Sequence, residues 1–535
     1  MKPTTRKNLL IALTYSVTLI GGMFLGYKFL KDQGFTFQRN AQFADNNSEK
    51  VHEIINLINR NYVDEIDADT LSHLEIDSLL HQLDPHSVYL PPVKLTDQSE
   101  MLEGNFEGIG IEYYILKDTL LVTQVFKDGP AESAGLKLGD KILRIDSVFV
   151  SGRHLKREQM MGRIKGRKGT SVHLLILHPG AGRPVEMAVK RGRVNVSSID
   201  AAYMVNADAG YIRISEFGAN TDKDFVESVR TLKQRGMKKL ILDLRDNGGG
   251  YLTAATGLAN QILPENKLIV YTEGKHEPRT DYIATGGGEF EDGKLAVLIN
   301  ENSASASEIL AGAVQDLDRG IIIGRRSFGK GLVQEQFPFG DGSALNLTIA
   351  RYYTPLGRSI QKSYKRGYTA YQNEIEERFN DGELTEKPLG SRDSLQKNLA
   401  FITGSGKKVF AGGGIQPDIY VKMDTAGINK FYSLMMDKRV LFDYVFDVLA
   451  NRYTATFLEQ NLSTFSISDA DYRDFVRYVQ SKNIVIDNRQ LIASKSVVYN
   501  DLKALLYKYH LGESGYYKAL NLNDNMIKQA LTSLQ

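Results

Sequence analysis

Two side chains in one short stretch, Ser305 and Lys330, are of types that could act as a nucleophile and its base. Ser305 and Glu308 form the S-x-x-E pattern of a capping box, and apolar residues recur behind them at helical spacing. The pattern predicts that Ser305 begins a helix. Lys330 lies between two glycines in "SFGKGLVQ", which predicts a turn where the backbone passes close to another element.

The two residues could react together only if the lysine is neutral. Burial disfavours the charged ammonium, and a neutral lysine could take the proton of a serine hydroxyl. A helix N-terminus also offers free amides and the positive end of a dipole, which can stabilise an oxyanion. Structural roles are more common for residues of these two types, because most serines at such positions only cap a helix and most lysines are exposed to solvent. From these residues alone, both interpretations stay open.

Motifs and residue types that the sequence lacks exclude several other kinds of catalytic site. It has no G-x-S-x-G elbow and no H-E-x-x-H pair. The absence of cysteine excludes disulfides, thiolate metal ligands and a cysteine nucleophile. A histidine triad stays open, because triad members are rarely neighbours in sequence. A net charge of +2 gives no large field of one sign, so nucleic acid is not an expected partner.

The N-terminus predicts a membrane segment. Leu9–Tyr27 carries no charge and is long enough to cross a bilayer as a helix. Lys2, Arg6 and Lys7 favour keeping the preceding end in the cytoplasm. Residues 1–31 are therefore expected to be a cytoplasmic stub and single-pass anchor in the inner membrane, with the rest of the chain on the periplasmic side. A cleavable signal peptide is the alternative.

The rest of the 535-residue chain divides into four segments by pattern. Residues 32–105 show short amphipathic helical spacing. Residues 106–193 show short strands separated by Gly, Pro and Asp turns, which is typical of a compact β-rich module. Residues 194–424 alternate strands and helices, as a layered α/β domain does. Residues 425–535 are mainly helical in pattern and carry no chemical motif.

A glycine-rich stretch opens the β-rich module. In "FEGIGIEYY", Gly108, Ile109, Gly110 and Ile111 could direct successive backbone amides at one place, which would form an anion-binding nest. If the adjacent strand edge is free, a peptide could add to the sheet while its terminal carboxylate occupies the nest. An ordinary glycine turn would also account for these residues, but "GPAESAGLKLGDKILRID" follows and favours the peptide-binding interpretation.

Several separated motifs together resemble one family. "SASASEILAGAVQD" and "GRRSFGKGLVQ" are similar to the active-site signature of the C-terminal processing peptidases, or tail-specific proteases. "LDPHSVYL", "LILDLRDNGGGYL", "RYYTPLGRSIQ" and "GIQPDIYV" match in the expected order, and residues 106–193 resemble a PDZ domain. The resemblance implies an α/β multidomain fold with a layered, crotonase- or ClpP-like protease core and an inserted PDZ-like domain. An N-terminal transmembrane helix and helical terminal regions complete this expectation.

The resemblance also implies roles for individual residues. Ser305 matches the family's nucleophile, Lys330 its general base and Gln334 the position that supports the lysine. One oxyanion amide would come from Ala306, after the nucleophile, and the other from Gly249 or Gly250.

The turn that carries these glycines departs from the family pattern. Asp246 and Gly248 stand where the family has asparagine and proline. Without the proline, the backbone conformation of the turn is less restricted. The choice between Gly249 and Gly250 therefore stays open.

The activity implied is that of a serine endopeptidase with a Ser-Lys dyad, which uses no metal or cofactor. It would cleave proteins recognised by a free C-terminal tail, and the family couples tail binding to activation. Residues 425–535 could cap the core, form a homo-oligomer interface or recruit an adaptor or regulator. Two alternatives stay open: a catalytically inactive, membrane-anchored PDZ scaffold and an acyl-thioester enzyme.

Overall fold

The structure is a computed structural model that describes Ile54, Ile58 and residues 68–152, 157–386 and 400–535. The expected membrane segment Leu9–Tyr27 lies outside these residues. In the part of the chain that is described, no helix is both long enough and apolar enough to cross a bilayer.

The chain forms two compact units, residues 1–78 and 79–535. Helix α1 (Ala68–His81) contains the last described residues of the first unit. The second unit begins with three elements that lead into the β-rich module: β1 (Val88–Leu90), α2 (Pro92–Glu103) and β2 (Asn105–Gly108).

The β-rich module is an antiparallel sheet with two short helices. Its elements are β3 (Ile111–Leu116), β4 (Thr119–Val125), α3 (Pro130–Ala134), β5 (Lys141–Ile145), β6 (Val148–Phe149), α4 (Arg157–Ile164), β7 (Ser171–Leu177), β8 (Val185–Lys190) and β9 (Gly192–Asn195). The strand order is β3-β4-β5-β7-β8, with β6 paired to β5, and β2 pairs separately with β9. Strand β3 therefore lies at an edge of this sheet.

The α/β region is built on a six-stranded sheet. The elements of the whole α/β region are β10 (Ile199–Met204), β11 (Ala209–Ile214), α5 (Thr221–Gln234), β12 (Lys239–Asp243), α6 (Leu252–Asn260), β13 (Leu268–Glu273), β14 (Thr280–Ile283), β15 (Lys294–Ile299), α7 (Ala306–Asp316), β16 (Ile321–Gly324), β17 (Leu332–Pro338), β18 (Ala344–Tyr353), α8 (Tyr368–Gln372), α9 (Glu374–Asn380), β19 (Ala400–Ile402), β20 (Lys408–Phe410) and β21 (Ile419–Tyr420). The sheet order is β10-β11-β12-β15-β16-β21. All neighbours except β10 and β11 run parallel.

The parallel strands are apolar on both faces because helices cover both sides of the sheet. Leu240 and Leu242 of β12 pack in the cluster that contains α5, α6 and α7, whereas Ile241 faces a cluster that contains Met526 and Ile527 of the C-terminal region. This is the layered α/β arrangement that the alternation of strands and helices predicts. The loops after β11, β12 and β15 all begin at the carboxyl ends of parallel strands. Three segments that are distant in sequence therefore meet at this end of the sheet.

A second antiparallel sheet completes the core. Its order is β1-β18-β13-β14, and β17 also pairs with β18. The β17–β18 hairpin directly follows Lys330, and β1 is formed by the last three residues of the "LDPHSVYL" segment. This sheet therefore carries several of the motifs that the sequence singles out.

The C-terminal region is helical throughout, as its pattern predicts. It comprises α10 (Lys430–Asp437), α11 (Val440–Asp447), a 3₁₀ turn (Leu449–Arg452), α12 (Ala455–Gln460), α13 (Asp469–Ser481), α14 (Asn488–Ala493), α15 (Lys495–Asn521) and α16 (Asn525–Ser533). Helix α15 is kinked at Gly512, whose φ of 68° is not helical.

These helices contact the outer face of the β-rich module. Tyr114 of β3 packs its ring against Phe442 and Phe446, and its hydroxyl donates to Asp443 Oδ1 at 2.9 Å. The inner face of the same strand belongs to the module's own core through Ile111. The C-terminal helices thus cover one face of the strand that forms the edge of the sheet.

The same helices also reach the α/β core. Asp524, the N-cap of α16, pairs with Arg245 at 2.5 Å. Arg245 lies in the turn that leads to the glycines at 248–250, and it also pairs with the buried Asp243 at 2.6 Å. The C-terminal region therefore contacts both the β-rich module and a turn beside the expected active site.

Candidate active site

Ser305 stands at the N-cap of α7, where the capping-box pattern places it. Its backbone has φ 54° and ψ −115°. This conformation is dominated by glycine in other proteins and is sterically costly for a residue with a Cβ atom. The helix behind it is buried along its whole length, so the position of Ser305 is fixed by the packing of the core.

The carboxylate of Glu308 joins the serine segment to the lysine turn. Its Oε2 accepts the amide hydrogens of Ser305 at 2.8 Å and of Lys330 at 2.9 Å. Its Oε1 accepts from the Ser327 hydroxyl at 2.5 Å and from the Gly329 amide at 2.7 Å. The sequence predicted this residue only as half of a capping box, whereas four donors from two chain segments converge on it.

Tyr352 makes a second bridge between the same two segments. Its buried hydroxyl shares its single hydrogen between the carbonyl oxygens of Ser305, at 3.1 Å, and of Lys330. Tyr352 lies on β18, the partner of the strand that follows Lys330. Sequence reasoning assigned it no role, although it belongs to the "RYYTPLGRSIQ" motif.

The turn around Lys330 needs its glycines for close approach. Gly329 has φ 90°, and a Cβ atom there would lie 3.0 Å from the amide nitrogen of Gly414 and from Lys362 Cβ. The Gly331 amide donates to Gln361 Oε1 at 2.8 Å. The predicted glycine turn is therefore held against neighbouring chain on both sides.

Burial dominates the electrostatics of Lys330. It lowers the pKa of the Lys330 ammonium, while the nearby carboxylates of Glu308 and Asp84 act in the opposite direction. Burial also raises the pKa of Glu308 to about 7 against the four hydrogen bonds that favour its charged form. Both shifts favour the neutral form of the residue concerned.

A cavity of about 570 Å³ brings the expected residues together. Ser305, Lys330 and Gln334 line it with the glycine turn at 248–250. Gln334 Nε2 donates to Thr348 Oγ1 at 3.1 Å, which fixes its side chain on the β17–β18 hairpin. No histidine of the described chain lines this cavity, so the histidine triad lacks its base here.

One histidine does lie close to Lys330 without lining the cavity. Burial, aided by the Lys330 charge, lowers the pKa of His86 to about 3. His86 Nε2 and the Tyr371 hydroxyl lie 2.7 Å apart. The "LDPHSVYL" motif thus brings His86 and Asp84 close enough to Lys330 for their charges to interact.

The glycine turn lies directly against the nucleophile position. A Cβ atom on Gly249 would come within 2.7 Å of Ser305 Cβ and 3.0 Å of the Ala306 amide nitrogen. A Cβ atom on Gly250 would lie 2.2 Å from the Phe217 carbonyl oxygen. Both positions therefore require glycine, and the amide of Ala306 lies beside the turn.

Asn247 shapes this turn and was missed by sequence reasoning. Its Oδ1 accepts the Gly249 amide hydrogen at 2.8 Å, and its Nδ2 donates to the Ile214 carbonyl at 3.0 Å. Its own carbonyl accepts the hydroxyl of Ser307 at 3.0 Å. An asparagine directly before a run of glycines is the only sequence signal for this role.

The glycine stretch of the β-rich module connects β2 to β3. The four residues from Gly108 to Ile111 are buried, and Gly110 has φ 81°. The Ile109 carbonyl accepts the Ala131 amide hydrogen at 2.7 Å, and a Cβ atom on Gly108 would lie 3.5 Å from Lys165 Cα, just beyond α4. The stretch thus lies between the edge strand β3 and the C-terminal end of α4.

Among the residues that the structure describes, no group of three or more His, Asp or Glu side chains is arranged to hold a metal ion.

Comparison with known proteins assigns families to both regions. Residues 208–368 match peptidase family S41, and residues 108–197 match the PDZ domain. The PDZ match covers the β-rich module, and the S41 match covers strands β11, β12, β15 and β16 of the six-stranded sheet and includes Ser305 and Lys330. The mixed α/β fold with a PDZ domain that the sequence predicted is confirmed.

Individual relatives agree with these matches. The carboxy-terminal processing protease CtpB of Bacillus subtilis is 32% identical over 59% of this chain and 66% of its own length. A carboxy-terminal-processing protease of Bartonella bacilliformis is 32% identical over 75% of this chain and 89% of its own length. The solved photosystem II D1 C-terminal processing protease is 28% identical, with a TM-score of 0.31 over 58% of this chain and 89% of that chain. The chain belongs to the carboxy-terminal processing proteases of peptidase family S41, a family of serine-type proteases, and carries a PDZ domain ahead of its peptidase region.

Proposed function

We propose that this chain is an active endopeptidase in which Ser305 is the nucleophile and Lys330 the general base. The observation that carries the proposal is the double bridge between the two residues. Glu308 binds both of their amides, and Tyr352 binds both of their carbonyls. Two independent side chains thus hold the serine and the lysine at the wall of one cavity.

The first half of the reaction forms an acyl-enzyme. Ser305 Oγ attacks the carbonyl carbon of a peptide bond while neutral Lys330 Nζ takes its proton. The amide of Ala306, with that of Gly249 or Gly250, stabilises the oxyanion. The carbon–nitrogen bond then breaks, and the protonated Lys330 gives its proton to the leaving amine.

Water completes the cycle. Lys330 Nζ takes a proton from the attacking water, the tetrahedral intermediate collapses, and Ser305 Oγ regains a proton as the acyl group leaves as a carboxylic acid. Gln334 lines the same cavity and is fixed by Thr348, so its proposed role is to support the position of the lysine side chain.

Substrates are proposed to be proteins with a free C-terminal tail. The edge strand β3 can receive an extended peptide, and the Gly108–Ile111 stretch at its start can receive the terminal carboxylate. Docking activates the enzyme only if the tail binds the active arrangement more tightly than the resting one.

The catalytic test uses the full-length chain in detergent and an unfolded reporter whose apolar tail ends in a carboxylate or an amide. Cleavage should require Ser305, Lys330 and the free carboxylate. Ser305→Ala and Lys330→Ala should be inactive, whereas the exposed controls Ser363→Ala and Lys365→Ala should cleave normally. Tail binding without cleavage by the wild-type chain would favour the scaffold alternative.

The location is proposed from the N-terminal sequence. Leu9–Tyr27 would anchor the chain in the inner membrane, with residues 32–535 on the periplasmic side. Protease treatment of spheroplasts should digest residues 32–535 while the membrane stays intact. Protection of these residues would contradict the proposed orientation.

A further inference from the structure

A second carboxylate enters the catalytic cavity from a different loop. Glu216 follows β11 and lines the cavity with Ser305. The next residue, Phe217, donates its amide hydrogen to the Gly249 carbonyl at 2.8 Å. Glu216 is therefore fixed beside the turn expected to stabilise the oxyanion, at the edge of the sheet where the active-site loops meet.

One oxygen of the Glu216 carboxylate is buried. Its Oε2 is shielded from solvent and makes no hydrogen bond to any residue that the structure describes. A buried acceptor without a partner is costly, so such atoms in native proteins call for an explanation.

The other acidic group in the cavity is compensated. Asp246 accepts hydrogen bonds from Asn300 Nδ2 at 2.7 Å and Asn302 Nδ2 at 3.0 Å, and Arg213 lies 3.8 Å away. Glu216 receives no comparable support from the residues that the structure describes.

The electrostatics of Glu216 agree with this difference. Burial, together with the negative charge of Asp200, raises the pKa of Glu216 to about 7, and no described cation acts in the opposite direction. A cation brought to this place would relieve both effects.

Apolar side chains provide a path to the carboxylate. Leu252, Ile309 and Leu332 line the same cavity. A lysine or arginine side chain has an apolar stem and a cationic end, so it can cover such residues while its charge reaches an acceptor. Glu216 and these neighbours together match that shape and chemistry.

We propose that Glu216 is a specificity-determining residue that receives a lysine or arginine side chain of the substrate close to the cleaved bond. The inference rests on the proposed proteolytic function. Binding such a side chain gives the unpaired Oε2 its missing donor and leaves the Ser305 and Lys330 chemistry unchanged.

The test measures kcat/KM for tailed peptides that differ at one position around the cleaved bond, with arginine, lysine, norleucine or glutamate there. At one position the wild-type enzyme should prefer arginine or lysine over norleucine by about tenfold or more, the scale of a hydrogen bond to a charged group. Glu216→Gln and Glu216→Ala should reduce this preference to about twofold or less by the same reasoning and should still cleave the norleucine peptide. The exposed Glu227→Gln on α5 is the matched control and should keep the preference.

A binding measurement separates this inference from the proposed function. Fluorescence anisotropy with the Ser305→Ala variant should show tighter binding of the arginine peptide than of the norleucine peptide, and adding Glu216→Gln should remove the difference. A wild-type enzyme without a basic preference at any position, or a preference unchanged by Glu216→Gln, would overturn the inference. If the wild-type enzyme shows no cleavage that is lost in Ser305→Ala, the proposed function itself would be refuted.

Discussion

The substitution Glu308→Gln tests whether the carboxylate that joins the two halves of the active site is needed for catalysis. The two side chains have nearly the same shape, but a glutamine has one acceptor oxygen and one donor group. Glu308 faces only donors: three backbone amides and the Ser327 hydroxyl. Whichever way the glutamine is oriented, its NH₂ group must face one pair of donors.

The magnitude follows from these contacts. At a pH above about 7, where the Glu308 carboxyl is mostly ionised, hydrogen bonds to this charged group contribute about 1.5–3 kcal/mol each, so losing one pair costs about 3–6 kcal/mol locally. The cheaper orientation turns the NH₂ group toward Ser327, whose hydroxyl can accept as well as donate, but this leaves the Gly329 amide unpaired. If half of the upper estimate appears in the barrier, kcat/KM falls by about 100-fold.

The assay is the kcat/KM for the tailed reporter, with near-ultraviolet circular dichroism to confirm that the variant is folded. Ser327→Ala is the matched control, because it removes one donor and leaves the bonds to Ser305 and Lys330 in place. It should lower kcat/KM by about tenfold or less, the value of a single hydrogen bond. A folded Glu308→Gln variant with kcat/KM within threefold of wild type would refute the positioning role.

Three other predictions address the base, the core and the contact with the C-terminal helices. Because neutral Lys330 is the proposed base and burial lowers its pKa, kcat/KM should rise with pH through a midpoint below the ordinary lysine value of about 10.4, and Lys330→Arg should be inactive throughout. Arg358→Met leaves the fully buried Asp316 without its ion-pair partner and should lower the free energy of unfolding of the core by about 3–5 kcal/mol, measured by urea denaturation; an unchanged transition midpoint would contradict this. Tyr114→Phe removes the hydrogen bond to Asp443 and should speed hydrogen exchange in β3 by about fivefold, whereas unchanged exchange would show that ring packing alone holds the contact.

Local sequence patterns predicted the parts of the site that depend on neighbouring residues. The S-x-x-E pattern correctly placed Ser305 at the start of a helix, and the flanking glycines correctly placed Lys330 in a close turn. Both features are determined by backbone conformation within a few residues. The loops after β11, β12 and β15 meet because these three strands run parallel, but the alternation of strands and helices was used to predict only the layered α/β domain and not this meeting point.

Contacts between distant segments could not be predicted in the same way. Helical periodicity identifies a buried face, but it does not say which surface covers that face. The sequence therefore predicted helices after residue 425 without predicting that Asp443 contacts the PDZ domain or that Asp524 contacts Arg245. Glu216 was missed for a related reason, since the surroundings of a single loop carboxylate depend on chain that lies far away in sequence.

The left-handed backbone of Ser305 implies a conflict between stability and activity at this one position. A conformation of this kind costs on the order of 1–3 kcal/mol for a residue with a side chain, and glycine would relieve most of that cost. Glycine would also remove the hydroxyl on which the proposed reaction depends. The residue that would make the fold most stable at this position is therefore one that selection for proteolysis must reject, and the buried helix α7 and the two bridging side chains hold the less stable choice in place.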